Sequence, residues 1–380
     1  MSTKLNILFL SSWFPTKYML TIGNFVKSYA HVLAQVHQIR IIYAQKVDVL
    51  DTEFQLEQTK EDNLELSIMY FRASDTGLLF IDKILNSFRH FRAYKKMYLL
   101  SDVKPDLVHA NVVWPIGLFA YYLKFKYGLK YILTEHWSLL STKGSFGFWK
   151  KMWILKIFRH SSVIIPVSED LKNSIQKWDP NLNFKIIPNV VNTEFFNYQI
   201  KSESEIFRWA HVSTLAQVKN VEGIIRAFSK LLSFDKNNKL TIISDGDYSE
   251  LQELIKKKNI SDDYIKLVGT STNEDVADLL KASDACVQFS ISETFGIVAA
   301  ESLCCGTPLV STKVGFLKEY AEQEIGLFVE NKNEEDLFLK MRTLKSMEFD
   351  ALNMSLKFSN LYGPERIQKD YTQIYKKWCS

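Results

Sequence analysis

Ser292-Glu-Thr-Phe-Gly-Ile-Val-Ala-Ala-Glu-Ser-Leu-Cys-Cys-Gly-Thr-Pro308 is the stretch in which the architecture of this chain reads most directly. Just upstream, residues 285–289 form a short apolar run with the length of a buried strand. A loop carrying Glu293 follows, and the chain turns into a helix at Phe295-Gly296, where a missing side chain lets a ligand approach the backbone. Free amides of the first helical turn, those of Gly296, Ile297 and Val298, suit an anion, and the helix dipole adds to the attraction. Glu301, one turn in, can accept hydrogen bonds from vicinal hydroxyls such as those of a ribose, and Gly306 stops the helix. Strand, anion-sized loop and helix in that order make one step of a parallel α/β sheet.

Working outward, the same alternation runs along the whole chain. Strands are predicted at 6–10, 38–44, 107–110, 131–134 and 163–167, with helices at 24–35, 81–100, 115–127 and 169–178, the last capped by Ser168. A second series has strands at 208–213, 240–244, 265–268, 285–289 and 308–311, and helices at 220–234, 249–258, 273–283, 296–305 and 334–346. Two separately wound α/β sheets follow, with the polar segment 197–205 as linker. At 380 residues the chain has the length of two domains rather than one. Apolar residues at 47% and charged residues at 24% provide for two cores and exclude fibrous or disordered classes.

No run of about 18 apolar residues occurs, and the N-terminal apolar run is too short for a signal peptide, so a cytoplasmic protein that does not cross a bilayer is expected. Cys286, Cys304, Cys305 and Cys379 lack C-x-x-C spacing and read as reduced, buried thiols. Charge is uneven. Residues 1–190 carry 24 Lys and Arg against 15 Asp and Glu, and residues 83–159 carry 14 against 3, so the first half faces something anionic. Two segments there combine cations with aromatics: Arg89, Arg92, Lys95 and Lys96 among Phe88, Phe91, Tyr94 and Tyr98, then Lys150 and Lys151 among Phe148, Trp149 and Trp153. Such segments suit an acceptor surface or an anionic membrane, which would place the protein peripherally on the inner face of the cytoplasmic membrane. No nucleic-acid module is present. Asp245-Gly-Asp247 is read as a turn rather than a metal site, and neither dinucleotide nor P-loop glycine motifs occur.

Glu293-x7-Glu301 enclosing Phe-Gly-Ile-Val, followed by Cys-Gly-Thr-Pro-Leu-Val, closely resembles the E-x7-E segment of the retaining glycosyltransferases of family four, the glycosyl transferases of group one. Shorter cues run through nearly the whole chain: Gly23-Asn-Phe25, Thr134-Glu-His136, Ile187-Pro-Asn189 before Glu194-Phe-Phe196, Lys219-Asn220, Leu267-Val-Gly269 and Ala282-Ser-Asp284. The resemblance implies a GT-B fold, two Rossmann-like α/β domains facing each other across a cleft. It implies an acceptor-binding domain at 1–195, a nucleotide-sugar donor domain at 196–362 and a helix at 363–380 that packs back on the first domain.

It further implies retaining transfer of a hexosyl group from a nucleotide diphosphate sugar to a saccharide or lipid-linked saccharide acceptor, in polysaccharide or glycolipid biosynthesis. Neither metal nor cofactor is implied, and a UDP-sugar ranks above a GDP-sugar. Carried over, Glu301 holds the ribose, and the amides of Gly296, Ile297 and Val298 beside Phe295 hold the diphosphate. Glu293 holds the sugar hydroxyls, His136 contacts the transferred sugar, and Lys219 neutralises the departing diphosphate. Gly269 and Thr270 hold the base, and Gly23 belongs to the donor-facing loop. The chain departs from the family in lacking an arginine shortly before Lys219, in having a single glycine at Gly23, and in reading Asn189-Val190. The missing arginine leaves open a catalytically weak nucleotide-sugar-binding or membrane-binding module, and the architecture also suits a sugar-nucleotide epimerase.

Overall fold

A computed structural model describes residues 4–19, 22–141, 146–202 and 204–379. The chain separates into two compact units, one of Met1–Val167, Leu171–Pro188 and Ile367–Ser380, the other of Ser168–Asp170 and Asn189–Arg366.

The first unit runs β1 (Asn6–Ser11), α1 (Asn24–Ala34), β2 (Gln38–Val47), β3 (Phe54–Glu61), β4 (Leu64–Arg72), α2 (Leu79–Leu99), β5 (Leu107–Asn111), α3 (Gly117–Tyr127), β6 (Tyr131–Glu135), α4 (Phe148–His160) and β7 (Ile164–Pro166), with α5 (Glu169–Gln176) after it. Its sheet has the order β3-β4-β2-β1-β5-β6-β7, parallel except where β3 runs antiparallel to β4. Ile7, Leu8, Phe9 and Leu10 are all buried, as expected of a central strand covered on both faces. The order reverses at β1, which has β2 on one side and β5 on the other, so the loops after β1 and β5 diverge at the carboxyl edge. Right-handed crossovers set α2, α3 and α4 in a row on one face. Aromatic contacts of Phe91 with Phe119 at 5.3 Å and of Tyr121 with Trp153 at 6.1 Å join them.

The second unit runs β8 (Phe207–Val212), α6 (Val221–Phe234), β9 (Asn238–Ile243), α7 (Ser249–Lys257), β10 (Ile265–Val268), α8 (Asn273–Ala282), β11 (Ala285–Gln288), α9 (Ile297–Cys304), β12 (Leu309–Thr312), β13 (Gly326–Val329), α10 (Glu334–Leu344) and α11 (Ala351–Tyr362). Its strands, ordered β10-β9-β8-β11-β12-β13, are all parallel. Trp209, Phe228 and Ile242 lie in its core, and the Trp209 indole donates to Asn238 Oδ1 at 3.0 Å. The final helix, α12 (Pro364–Cys379), belongs from Ile367 onward to the first unit. There Tyr375 OH lies 2.8 Å from His109 Nδ1, His109 Nε2 lies 2.6 Å from Thr134 Oγ1, and that hydroxyl lies 3.0 Å from Tyr371 OH. Burial pushes the His109 imidazole down to about 3, so it sits neutral in this network.

Several sequence expectations are corrected. The β3–β4 hairpin, β13 and α11 were not anticipated. The change of unit falls at Pro188 rather than 195, because Val191 N donates to Tyr362 O at 2.9 Å and fastens the following segment to the second unit. Segment 197–205 is no free linker: Lys201 Nζ donates to Ser283 O and, at 3.2 Å, to Thr307 Oγ1, while Glu203 lies outside the described residues. Cys286, Cys304 and Cys305 are free and buried, but Cys379 is half-buried. Among the described residues no helix is long and apolar enough to cross a membrane.

Candidate active site

In the second unit the carboxyl ends of β8, β11 and β12 converge on one small pocket. Lys219 comes from the turn after β8, Glu293 from the loop after β11, and Gly296, with φ 97°, opens α9. Lys219 Nζ donates to Glu293 Oε1 at 2.5 Å, and Ser290 Oγ donates to the same oxygen at 2.8 Å. The backbone holds this pair in place: Ile291 N donates to Val218 O at 2.7 Å, and Thr312 Oγ1 donates to Ser290 O at 2.6 Å.

Lys219, Glu293, Gly296, Ile297 and Val298 all line the pocket, together with Ser290. The first-turn amides of α9 have no partner inside the helix, so pocket and helix start form one anion-sized cradle. Lys219 is the one cation in the pocket lining among the described residues, which agrees with the missing arginine in sequence. Phe295 is buried, with its ring 4.9 Å from Phe316 and 5.4 Å from Tyr362. It anchors the helix start and does not line the pocket. Gly315 packs directly beneath it, and Phe316 N donates to Phe295 O at 3.1 Å. Nothing in the sequence around Gly315 points to this support, because it joins two segments that are not contiguous.

Glu301 is half-buried on α9, and burial pushes its carboxyl up to about 8. Gly269 and Thr270 follow β10 in the exposed approach to α8, whose start is closed by a reciprocal Thr272–Asp275 capping box. Asp247 Oδ1 accepts from Ser249 N at 3.0 Å, so the second carboxylate of Asp245-Gly-Asp247 serves its own turn.

In the first unit the structure brings Gly23 and His136 to the same edge. Gly23 precedes α1, and the ring of Phe25, two residues on, lies 4.0 Å from that of His136 at 31°. His136 follows β6, is 7% exposed, and has Nε2 buried without a hydrogen-bond partner among the described residues. Desolvation, with a smaller contribution from His109, pushes its imidazole down to about 3, so it is neutral.

Glu135, beside it, has a role that its sequence context does not reveal. It is fully buried and accepts from Val113 N through Oε1 and from Trp137 N at 3.4 Å through Oε2. It thereby clamps the loop in which Val112, a β-branched residue, is held at φ 71°. Nothing in the spacing of Val113 and Glu135 reveals that bond.

Burial pushes the Glu135 carboxyl up to about 8, so the folded chain keeps a proton there that the unfolded chain releases near 4.5. Stability from this group is full below about 4.5 and is lost as pH rises through about 8. His90, His109, His136 and His211 act oppositely, but only below 6.5, since all are pushed down by burial. From about 6.5 to about 8, where the histidines no longer oppose it, the melting temperature should fall as pH rises, and Glu135→Gln, which mimics the protonated acid, should reduce the fall. An unchanged slope in thermal scans overturns this assignment.

The cations of the first unit are more engaged than the sequence suggests. Arg89 NH1 donates to Arg72 O at 2.9 Å, Arg92 pairs with Glu53 at 3.4 Å, and Lys96 lies 4.1 Å from the centre of the Phe54 ring. Lys150 lies 4.8 Å from the centre of the Trp137 ring, and Lys151 lies 5.6 Å from that of Trp178. Lys95 is half-buried.

Comparison with known proteins places this arrangement. The family model described as Glycosyl transferases group 1 matches residues 191–360, and that of Glycosyltransferase Family 4 matches 22–195. An uncharacterized glycosyltransferase of Methanocaldococcus jannaschii is 30% identical over 283 residues, 72% of this chain and 75% of that one. The N-acetyl-alpha-D-glucosaminyl L-malate synthase of Bacillus anthracis is 27% identical over 228 residues, 56% of this chain and 58% of that protein. Among solved structures, sucrose-phosphate synthase from Thermosynechococcus elongatus superposes with a TM-score of 0.78 at 18% identity over 98% of both chains. HepE of Anabaena, solved with UDP and glucose, superposes with a TM-score of 0.70 at 16% identity over 98% of this chain and 100% of that one.

The two Rossmann-like units are thus those of a GT-B glycosyltransferase. Within that class, the chain belongs to the group 1 glycosyltransferases of family four.

Proposed function

We propose that this glycosyltransferase moves a hexosyl group, with retention at the anomeric carbon, from a UDP-sugar to a saccharide or lipid-linked saccharide acceptor of a cell-surface polysaccharide or glycolipid pathway. The observation that carries this reading is the Lys219–Glu293 pair set against the amide cradle of α9. An arriving diphosphate competes for the Lys219 ammonium and frees the Glu293 carboxylate to accept from donor-sugar hydroxyls. As the glycosidic bond breaks, its electron pair leaves with the diphosphate, the acceptor hydroxyl oxygen bonds the anomeric carbon and gives its proton to the departing diphosphate, and Lys219 with the amides of Gly296, Ile297 and Val298 meets the developing charge. These groups supply positive charge without a metal, which is why transfer is read as metal-independent.

His136, neutral with an unpartnered Nε2, has the chemistry to hydrogen-bond a hydroxyl of the transferred sugar. Gly269 and Thr270 are assigned to the base and Glu301 to the ribose. The HepE structures, with UDP or UDP-glucose bound, support the choice of UDP. Two yeast relatives named phosphatidylinositol N-acetylglucosaminyltransferase subunits favour a lipid-linked acceptor. The second reading, a catalytically weak nucleotide-sugar-binding module, draws on the single cation of the pocket and predicts binding without turnover.

Thermal unfolding against UDP, GDP, ADP and their sugars, with and without EDTA, tests the donor site. At about 100 times its dissociation constant a ligand stabilises by roughly 2.7 kcal/mol, a shift of several degrees. A shift with UDP that survives EDTA is expected. A shift abolished by EDTA overturns metal independence, and no shift with any nucleotide overturns the donor site.

Glu301→Ala should weaken UDP binding about tenfold or more, the cost of losing hydrogen bonds to a charged acceptor. Because the ionised carboxylate accepts from hydroxyls more strongly than the protonated acid, wild-type affinity should also fall as pH drops below about 8. An unchanged dissociation constant in calorimetry removes Glu301 from the ribose.

A further inference from the structure

We infer that the carboxyl-edge ends of α2 and α4 form a docking surface for an anionic lipid bilayer, and that a ridge of apolar side chains on α2 enters the bilayer interface. The inference is independent of the donor site. Helices α2 and α4 follow β4 and β6, so both begin at the carboxyl edge of the first unit's sheet, on the same face. At these starts large apolar side chains stand in solvent: Phe80 is 75% exposed, Ile84 53% and Phe88 73%, and on α4 Phe148 is 75% and Trp149 71% exposed. Phe80, Ile84 and Phe88 recur every four residues and form a continuous stripe. Leu79, 81% exposed, stands next to Phe80.

An exposed apolar patch of this extent on a folded protein calls for a cover. The stripe runs on into Arg92 and Lys95, inside the stretch where 14 cations face 3 acids, so the cover is anionic. That same excess disfavours a second copy, since a symmetric contact would set two positive faces together. Apolar and aromatic side chains at a helix start with cations further along match an interfacial anchor. The structure shifts the weight from charge to insertion. Arg89 and Arg92 are held by Arg72 O and Glu53, leaving the apolar stripe as the main source of affinity.

The test is sedimentation of the full chain with vesicles of phosphatidylcholine mixed with phosphatidylglycerol, and with vesicles of phosphatidylcholine alone. Binding to the mixed vesicles, weaker on the neutral ones, is expected. Replacing Phe80, Ile84 and Phe88 together by Ser should reduce vesicle affinity more than about tenfold. Arg89→Gln with Arg92→Gln should reduce it less. Phe148→Ser with Trp149→Ser, an independent pair, should also release protein from vesicles. All these positions are at least partly exposed, so an unchanged melting temperature confirms the fold of each variant.

Equal sedimentation of the triple variant and wild type overturns the inference. So does a wild-type dimer, seen by analytical ultracentrifugation without lipid, that the triple variant dissociates, because the face then belongs to a second copy.

Discussion

Lys219→Ala should lower kcat/KM for sugar transfer by about 10²- to 10³-fold, the usual consequence of removing one preorganised electrostatic partner of a developing charge. The expectation is at the high end because nothing else in the pocket lining carries positive charge among the described residues. The loss is also twofold in kind. Without the ammonium, the Glu293 carboxylate keeps Ser290 but has no counter-charge, and it then repels the diphosphate it should accommodate. Pairing Lys219→Ala with Glu293→Gln should therefore recover nucleotide affinity but not turnover. Steady-state kinetics beside calorimetry separate the two effects. A Lys219→Ala protein with undiminished kcat would remove Lys219 from the reaction and return the pair to a structural role.

Gly315→Ala should be strongly destabilising. A Cβ there would lie 2.1 Å from Phe295 O, and the residue has φ 58°, a region that costs an L-residue about 1–2 kcal/mol. With overpacking added, a loss of roughly 2–5 kcal/mol follows, read as a fall of several degrees or more in melting temperature. The displaced atom belongs to the residue just before the amide cradle, so nucleotide binding should fail along with stability. Gly269→Ala is the contrast, since a Cβ there meets nothing within 4 Å. It should leave unfolding unchanged, and any loss of nucleotide affinity then reports contact with the base. Equal thermal scans for Gly315→Ala and wild type would overturn the packing argument.

What could be read from the chain beforehand follows distance along it. The cradle at Gly296, Ile297 and Val298 was legible because strand, loop and helix start are contiguous. Its partner Lys219 was legible only as a lysine between a strand and a helix. Its pairing with Glu293 depends on β8 and β11 being neighbours, which spacing does not reveal. The Glu135 clamp on Val113 was hidden for the same reason.

The β3–β4 hairpin escaped because β3, Phe-Gln-Leu-Glu-Gln-Thr-Lys-Glu, is exposed along nearly its whole length at the sheet edge and has no apolar face to give it away. The cations at Arg89 and Arg92 were visible as charge, but their contacts with Arg72 and Glu53 are not local in sequence. Phe88 was legible as an aromatic among cations, but the stripe it makes with Phe80 and Ile84 was not, because only the exposure of these side chains sets it apart from a buried helix face.

The place of α12 bears on how the molecule is made. Tyr371 and Tyr375 close the polar network around His109, yet they are translated only after the whole second unit. During synthesis the second unit has nearly all its parts before Ile367 emerges, whereas the earlier-made unit still has His37, which faces Thr372 at 3.0 Å, and His109 without their partners. The half of the chain that leaves the ribosome first is therefore the half that finishes folding last, and in that interval its unfilled core is open to chaperones and proteases.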